Sequence, residues 1–199
     1  ANSSREVTSQ FHPDSTIQDN LTTSFTPQVH LIEEFSSLID KCSIFMDYPI
    51  ILVVSEIRPQ PPNPLALKKK ETLNSIYEMV TDTSFMMSLP INVFNDLFEM
   101  IKQHIFRKIP DLPDFNEYSN ISQNYIVKNW DHIEIIHNIF QYVIEDIEKI
   151  GPQLDDDFTI KLVNQLESPV YEESITIEKE LSFFLQINAF KKCIAINFI

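Results

Sequence analysis

The chain has 199 residues, enough for one ordinary domain or a short repeat array. Its single glycine, Gly151, excludes phosphate-cradling glycine loops and the serine-hydrolase elbow, and it disfavours hairpin-rich sandwiches and barrels. Lys and Arg total 15 against 29 Asp and Glu, a formal net charge of -14, so the surface repels nucleic acid and anionic membranes and favours basic proteins as partners.

Residues 1–28 are rich in Ser, Thr, Asn and Gln without a hydrophobic period, which predicts a disordered or loosely attached arm. The N-terminus carries no apolar stretch of signal-peptide type, so the sequons at Asn2, Asn20 and Asn120 read as chance matches. Residues 29–199 form the folded part. Ile32, Phe35, Ile39, Cys42 and Phe45 recur at steps of three and four, one face of a helix. The apolar patch from Ile50 to Val54 is a candidate strand. The prolines at 59, 61, 62 and 64 favour a loop or extended linker there.

A second helix carries Leu65, Leu73, Ile76, Tyr77 and Val80 on one side. Ser88-Leu89-Pro90 starts the next, with Phe94, Leu97, Phe98, Ile101 and Ile105 in register. A polar loop follows from 110 to about 127. The clearest helix holds Trp130, Ile133, Ile136, Phe140, Val143 and Ile147, with Gly151-Pro152 just beyond its end. Asp155, Asp156 and Asp157 suit the start of a short helix through Ile160, Val163 and Leu166. The last segment has Ile177, Leu181, Phe184 and Leu185 in register, then an apolar tail.

About six helices pairing at roughly 40-residue intervals predict an all-α fold, a HEAT-like helical-repeat solenoid (an α-α superhelix). Its apolar end is the opposite of a polar capping repeat, which predicts a truncated solenoid: a fragment, a truncated product or the first half of something longer.

No constellation nominates an enzyme. The three consecutive aspartates point in different directions and lack the spacing of a calcium loop. His132 and His137 stand about 500° apart around their helix, so they do not converge as metal ligands; one surface and one half-buried histidine is the plainer expectation. Cys42 lies on an apolar stripe as a small core residue. Cys193 is too distant in sequence to form a metal-ligand pair with it, and two such cysteines suit a reducing cytoplasmic or nuclear compartment. Lys68, Lys69 and Lys70 read as a solvated helix start, with a contact to an acidic partner as the alternative. No cofactor or metal is expected.

Four motifs in order carry a resemblance. The first is Leu38-Ile39-Asp40-Lys41-Cys42-Ser43-Ile44-Phe45-Met46-Asp47-Tyr48. The second is Lys69-Lys70-Glu71-Thr72-Leu73 followed by Ile76-Tyr77-Glu78-Met79-Val80-Thr81. The third is Ile105-Phe106-Arg107-Lys108-Ile109-Pro110, and the fourth is Trp130-Asp131-His132-Ile133 with Phe140 and Ile144-Glu145 after it. Together, from about Leu31 to Leu181, they resemble the start of the B-prime (B′) regulatory subunits of protein phosphatase 2A.

That resemblance implies a HEAT-like subunit without activity of its own. It would dock on the phosphatase scaffold and catalytic subunits and direct substrate choice or localisation in signal transduction. The motif residues it brings forward, in structural or interface roles, are Cys42, Phe45, Asp47, Phe106, Arg107, Pro110, Trp130 and His132. Family members are about twice this length. Where their fourth repeat has Leu-His-Arg-Ile-Tyr, which binds Leu-x-x-Ile-x-Glu peptides, this chain reads Leu181-Ser182-Phe183-Phe184-Leu185, with Asn188 near the place of a further arginine. That peptide site is not carried over.

Overall fold

The computed structural model describes residues 26–43, 48–53, 63–108 and 124–197. Most of the expected arm, the prolines at 59, 61 and 62, and most of the polar loop lie outside the described residues. So do Phe45, Asp47 and Pro110, and so does the side chain of Cys193.

The first helix, α1 (Thr26–Cys42), buries Phe35, Ile39 and Cys42, the face expected from their spacing. Helix α2 (Pro64–Thr81) starts where Asn63 Oδ1 accepts the Leu65 N–H at 2.9 Å and Pro64 fills the first turn, where a missing N–H costs nothing. It stops at Asp82, whose extended backbone ends α2 while its carboxylate caps α3 (Thr83–Ser88) by accepting the Ser84 and Phe85 N–H groups. Pro90 then precedes α4 (Ile91–Ile105), which buries every apolar residue assigned to its stripe.

Helix α5 (Trp130–Val143) follows Asn129, which takes a left-handed turn at φ 60°. The helix expected to continue to Ile147 ends at Val143. A short α6 (Ile147–Ile150) and a 3-10 turn (Gly151–Gln153) come next. Asp155 Oδ1 accepts the Phe158 N–H at 2.8 Å and caps α7 (Asp156–Asn164), as its charge and position suggested. A 3-10 turn (Gln165–Glu167) leads to α8 (Tyr171–Asn197).

These helices stack as an all-α helical-repeat solenoid. Helix α2 packs on α1 and α5, α4 packs on α1 and α5, and α7 packs on α8. Phe158 closes the stack. Its ring centre lies 5.5 Å from Phe98, 5.1 Å from Phe106, 5.9 Å from Phe140 and 6.3 Å from Phe184, which joins α4, α5, α7 and α8 in one aromatic contact set.

The structure corrects several expectations. Ile50–Val53 is a strand, β1, rather than a loop. It pairs antiparallel with β2 (Asn124–Val127), with Ile50 opposite Val127 and Val53 opposite Asn124. The prolines at 59, 61, 62 and 64 fall beyond Val53 and Pro49 precedes the strand, so β1 keeps its ladder donors, and the Lys128 N–H extends the ribbon to the Pro49 carbonyl at 2.9 Å.

Leu65 is exposed, and Ala66, Lys69 and Thr72 turn inward beside Leu73, Ile76 and Val80, which are buried as expected. Ile160, Val163 and Leu166 are also exposed, because Phe158 and Leu162 set the buried face of α7; Leu185 is exposed because Ile177, Leu181 and Phe184 form the inward face of α8. Among the described residues no helix is long and apolar enough to cross a membrane.

Candidate functional site

The sequence motifs meet at one place, and it is inside the molecule. Cys42 comes from the end of α1, Tyr48 from the segment before β1, Lys69 from α2, His104 from α4 and His132 from α5. All five are buried. The Tyr48 ring centre lies 6.0 Å from both His104 and His132, with the Lys69 ammonium 5.3 Å above it. His104 Nδ1–H donates to the Met100 carbonyl at 2.7 Å, and His132 bonds to the backbone of Ala66. His132 and His137 were expected as one surface and one half-buried histidine, and both are buried. Their places among the inward-facing residues of α5 were the available signal.

Burial governs the electrostatics of this node. It pushes the Cys42 thiol up to about 11, against a smaller opposing pull from Lys69. It raises the Tyr48 phenol well above its usual value, and the charges of Cys42 and Asp131 add to that. Lys69 falls to about 8 and His104 to about 4, each chiefly through loss of solvent. His132 is lowered for the same reason. A protonated thiol in such surroundings is a poor nucleophile. Among the described residues no group of three His, Cys, Asp or Glu is placed to hold a metal ion. The node therefore suits holding repeats together.

The remaining motif residues extend this framework. Phe106 stacks edge-on against Phe158. Arg107 pairs with Glu173 at 2.6 Å, and the Ser168 hydroxyl donates to the other carboxylate oxygen of Glu173 at 2.5 Å. That clasp fastens the end of α4 to the first turn of α8. Trp130 is half-buried against the small cluster of Tyr48, Val127, Ile133 and Val170, short of the full burial its pattern suggested. Of the lysine run, Lys70 meets Asp131 at 2.8 Å on the surface, while Lys69 is buried rather than solvated.

A second buried pair joins α5 to α8. His137 Nδ1–H donates to Glu180 Oε1 at 2.7 Å, with both side chains enclosed. Beside it, Gln141, Ile144, Glu145, Lys179, Glu180 and Phe183 border a cavity of about 260 Å³. Glu180 carries no signal in the sequence, because burial of a glutamate on α8 depends on what α5 presents to it.

The family model of the protein phosphatase 2A regulatory B subunit (B56 family) matches residues 31–194, a span that includes every residue of the node and both halves of the α5–α8 pair. No curated protein matches the chain.

Proposed function

Because the chain belongs to the B56 family of protein phosphatase 2A regulatory B subunits, we propose that it is a non-catalytic regulatory subunit. In this reading it docks on the phosphatase scaffold and catalytic subunits and directs which phosphoproteins they meet, in the cytoplasm or nucleus. The observation that carries the reading is the continuous match over residues 31–194 together with the helical stack those residues build. The burial of Cys42 and His132 supports a framework role for these two motif residues. Interface contacts then fall to the exposed faces of the helices. In this proposal residues 29–199 are the repeat domain, while residues 26–28 of the expected arm already belong to α1.

A second reading has an observation of its own. Ser182, Phe183 and Leu185 stand on the exposed side of α8 where the family resemblance places polar peptide-binding residues. A chain that has lost that pocket can persist as a helical interaction module outside the phosphatase. Co-purification with the scaffold subunit separates the two: the regulatory subunit is retained and the independent module is not.

A further inference from the structure

Tyr77 on α2 and Tyr142 on α5 meet edge to face, with ring centres 5.8 Å apart and planes inclined at 72°. Their hydroxyls are hydrogen-bonded to each other, and that bond raises the Tyr77 phenol above its usual value. The core holds the two rings in place. Ile76 and Val80 beside Tyr77 are buried, as are Ile139 and Val143 beside Tyr142, so neither helix can carry its ring away without opening a packed interior.

The pair is also within reach of solvent. Tyr142 is 42% exposed and borders a surface groove beside Met86 and Met87, while Tyr77 is half-buried behind it. The other described tyrosines differ. Tyr48 is buried, and its ring faces two histidines and a lysine. Tyr171 is 73% exposed, and among the described residues no second tyrosine ring touches it. Two phenols that share a hydrogen bond, touch through their rings and lie at the surface are set up for oxidative coupling.

We propose that Tyr77 and Tyr142 form an oxidative modification site, joined as dityrosine by a haem peroxidase and hydrogen peroxide, so that α2 is fastened covalently to α5. Tyr142 meets the oxidant first. Hydrogen-atom exchange along the shared hydrogen bond passes the radical to Tyr77, and a second oxidation at Tyr142 completes the radical pair. In all, each phenol gives up one electron and its hydroxyl proton, and one peroxide is reduced to two waters. The two phenoxyl radicals form one bond between ring carbons ortho to the oxygens. The hydrogen on each of those carbons then moves to its oxygen, which restores both phenols. The link closes the chain from Tyr77 to Tyr142 into a loop and restricts the unfolded state as a disulfide does. It rests on this chain alone and goes beyond phosphatase association.

The test treats the dilute full chain with a haem peroxidase and hydrogen peroxide, then reads dityrosine fluorescence at monomer size, a tryptic peptide map and the urea midpoint. The expected product is a fluorescent monomer whose map contains a crosslinked pair of peptides carrying Tyr77 and Tyr142, with a midpoint raised by the treatment. Tyr77→Phe and Tyr142→Phe keep the edge-to-face rings and the fold, yet each loses most of the monomer's fluorescence and the rise in midpoint. Tyr171→Phe keeps both. Overturning results are no dityrosine in the parent chain, monomer fluorescence undiminished in Tyr77→Phe or Tyr142→Phe, crosslinks confined to dimers joined through Tyr171, or a crosslinked monomer with an unmoved midpoint.

Discussion

The ammonium of Lys69 lies 5.3 Å from the centre of the Tyr48 ring, and both residues are buried. This contact ties α2 to the chain entering β1, and the same ring faces His104 on α4 and His132 on α5. Three helices and the ribbon therefore share one aromatic side chain. Cation and ring, once desolvated, attract by about 2 kcal/mol.

The Tyr48 hydroxyl, in contrast, has no hydrogen-bond partner among the described residues. Tyr48→Phe keeps the ring and removes a buried polar atom, so stability should stay level or rise by about 1 kcal/mol. Tyr48→Leu loses the ring and should cost about 2 kcal/mol. Urea midpoints for the two variants decide. A loss above about 1 kcal/mol in Tyr48→Phe would show that the hydroxyl is bonded.

Stability should fall between pH 6.5 and about 4 because of His104, whose folded value is lowered to about 4 by burial and then by Lys69. In that window the unfolded chain binds one more proton than the folded chain, so stability rises with pH. Above 6.5 the contribution is complete, and by pH 4 about 3 kcal/mol is lost. His104→Leu removes this component. Its unfolding free energy, compared with the parent from pH 7 to pH 4, should show the smaller slope. Parallel slopes would contradict the assignment.

Phe158 and Trp130 should separate cleanly. Phe158 is 3% exposed and touches four other phenylalanines, so Phe158→Ala should cost about 3–5 kcal/mol. Trp130 is half-buried beside the ribbon, and Trp130→Ala should cost about 2 kcal/mol. Chemical denaturation ranks them. A larger loss at Trp130 would mean that the ribbon, not the aromatic contact set, anchors the stack.

Peptides of the form Leu-x-x-Ile-x-Glu should not bind. The positions that the resemblance aligns with a polar pocket are Ser182, Phe183 and Leu185, and none can offer a cation to the peptide's acid. A dissociation constant of 1 µM requires about 8 kcal/mol, and an unpaired desolvated carboxylate forfeits several of these. Calorimetric titration should give no heat of binding. A micromolar constant would refute the expectation.

The parts of this fold legible in the sequence are those set by local spacing. Phe94, Leu97, Phe98, Ile101 and Ile105 repeat at helical steps and all are buried. Asp155 is read as a cap and acts as one. The ribbon is not legible, because β1 pairs with β2 more than seventy residues later and neither four-residue run signals the other. Asp82 splits one apolar period into α2 and α3 through its own backbone turn, which a periodicity count does not register. The buried node was half legible. Cys42 stands in a stripe, but Lys69 sits in a run of three lysines, and only packing against α1 and α5 selects which one turns inward. Glu180 was hidden for the same reason.

The central claim, that this member of the B56 family joins the phosphatase, is tested most directly by mixing the purified chain with the phosphatase 2A scaffold subunit and resolving the mixture by size-exclusion chromatography with light scattering. The account predicts a single equimolar species at the summed mass. Separate elution of a helical, monodisperse chain and an intact scaffold subunit would contradict it.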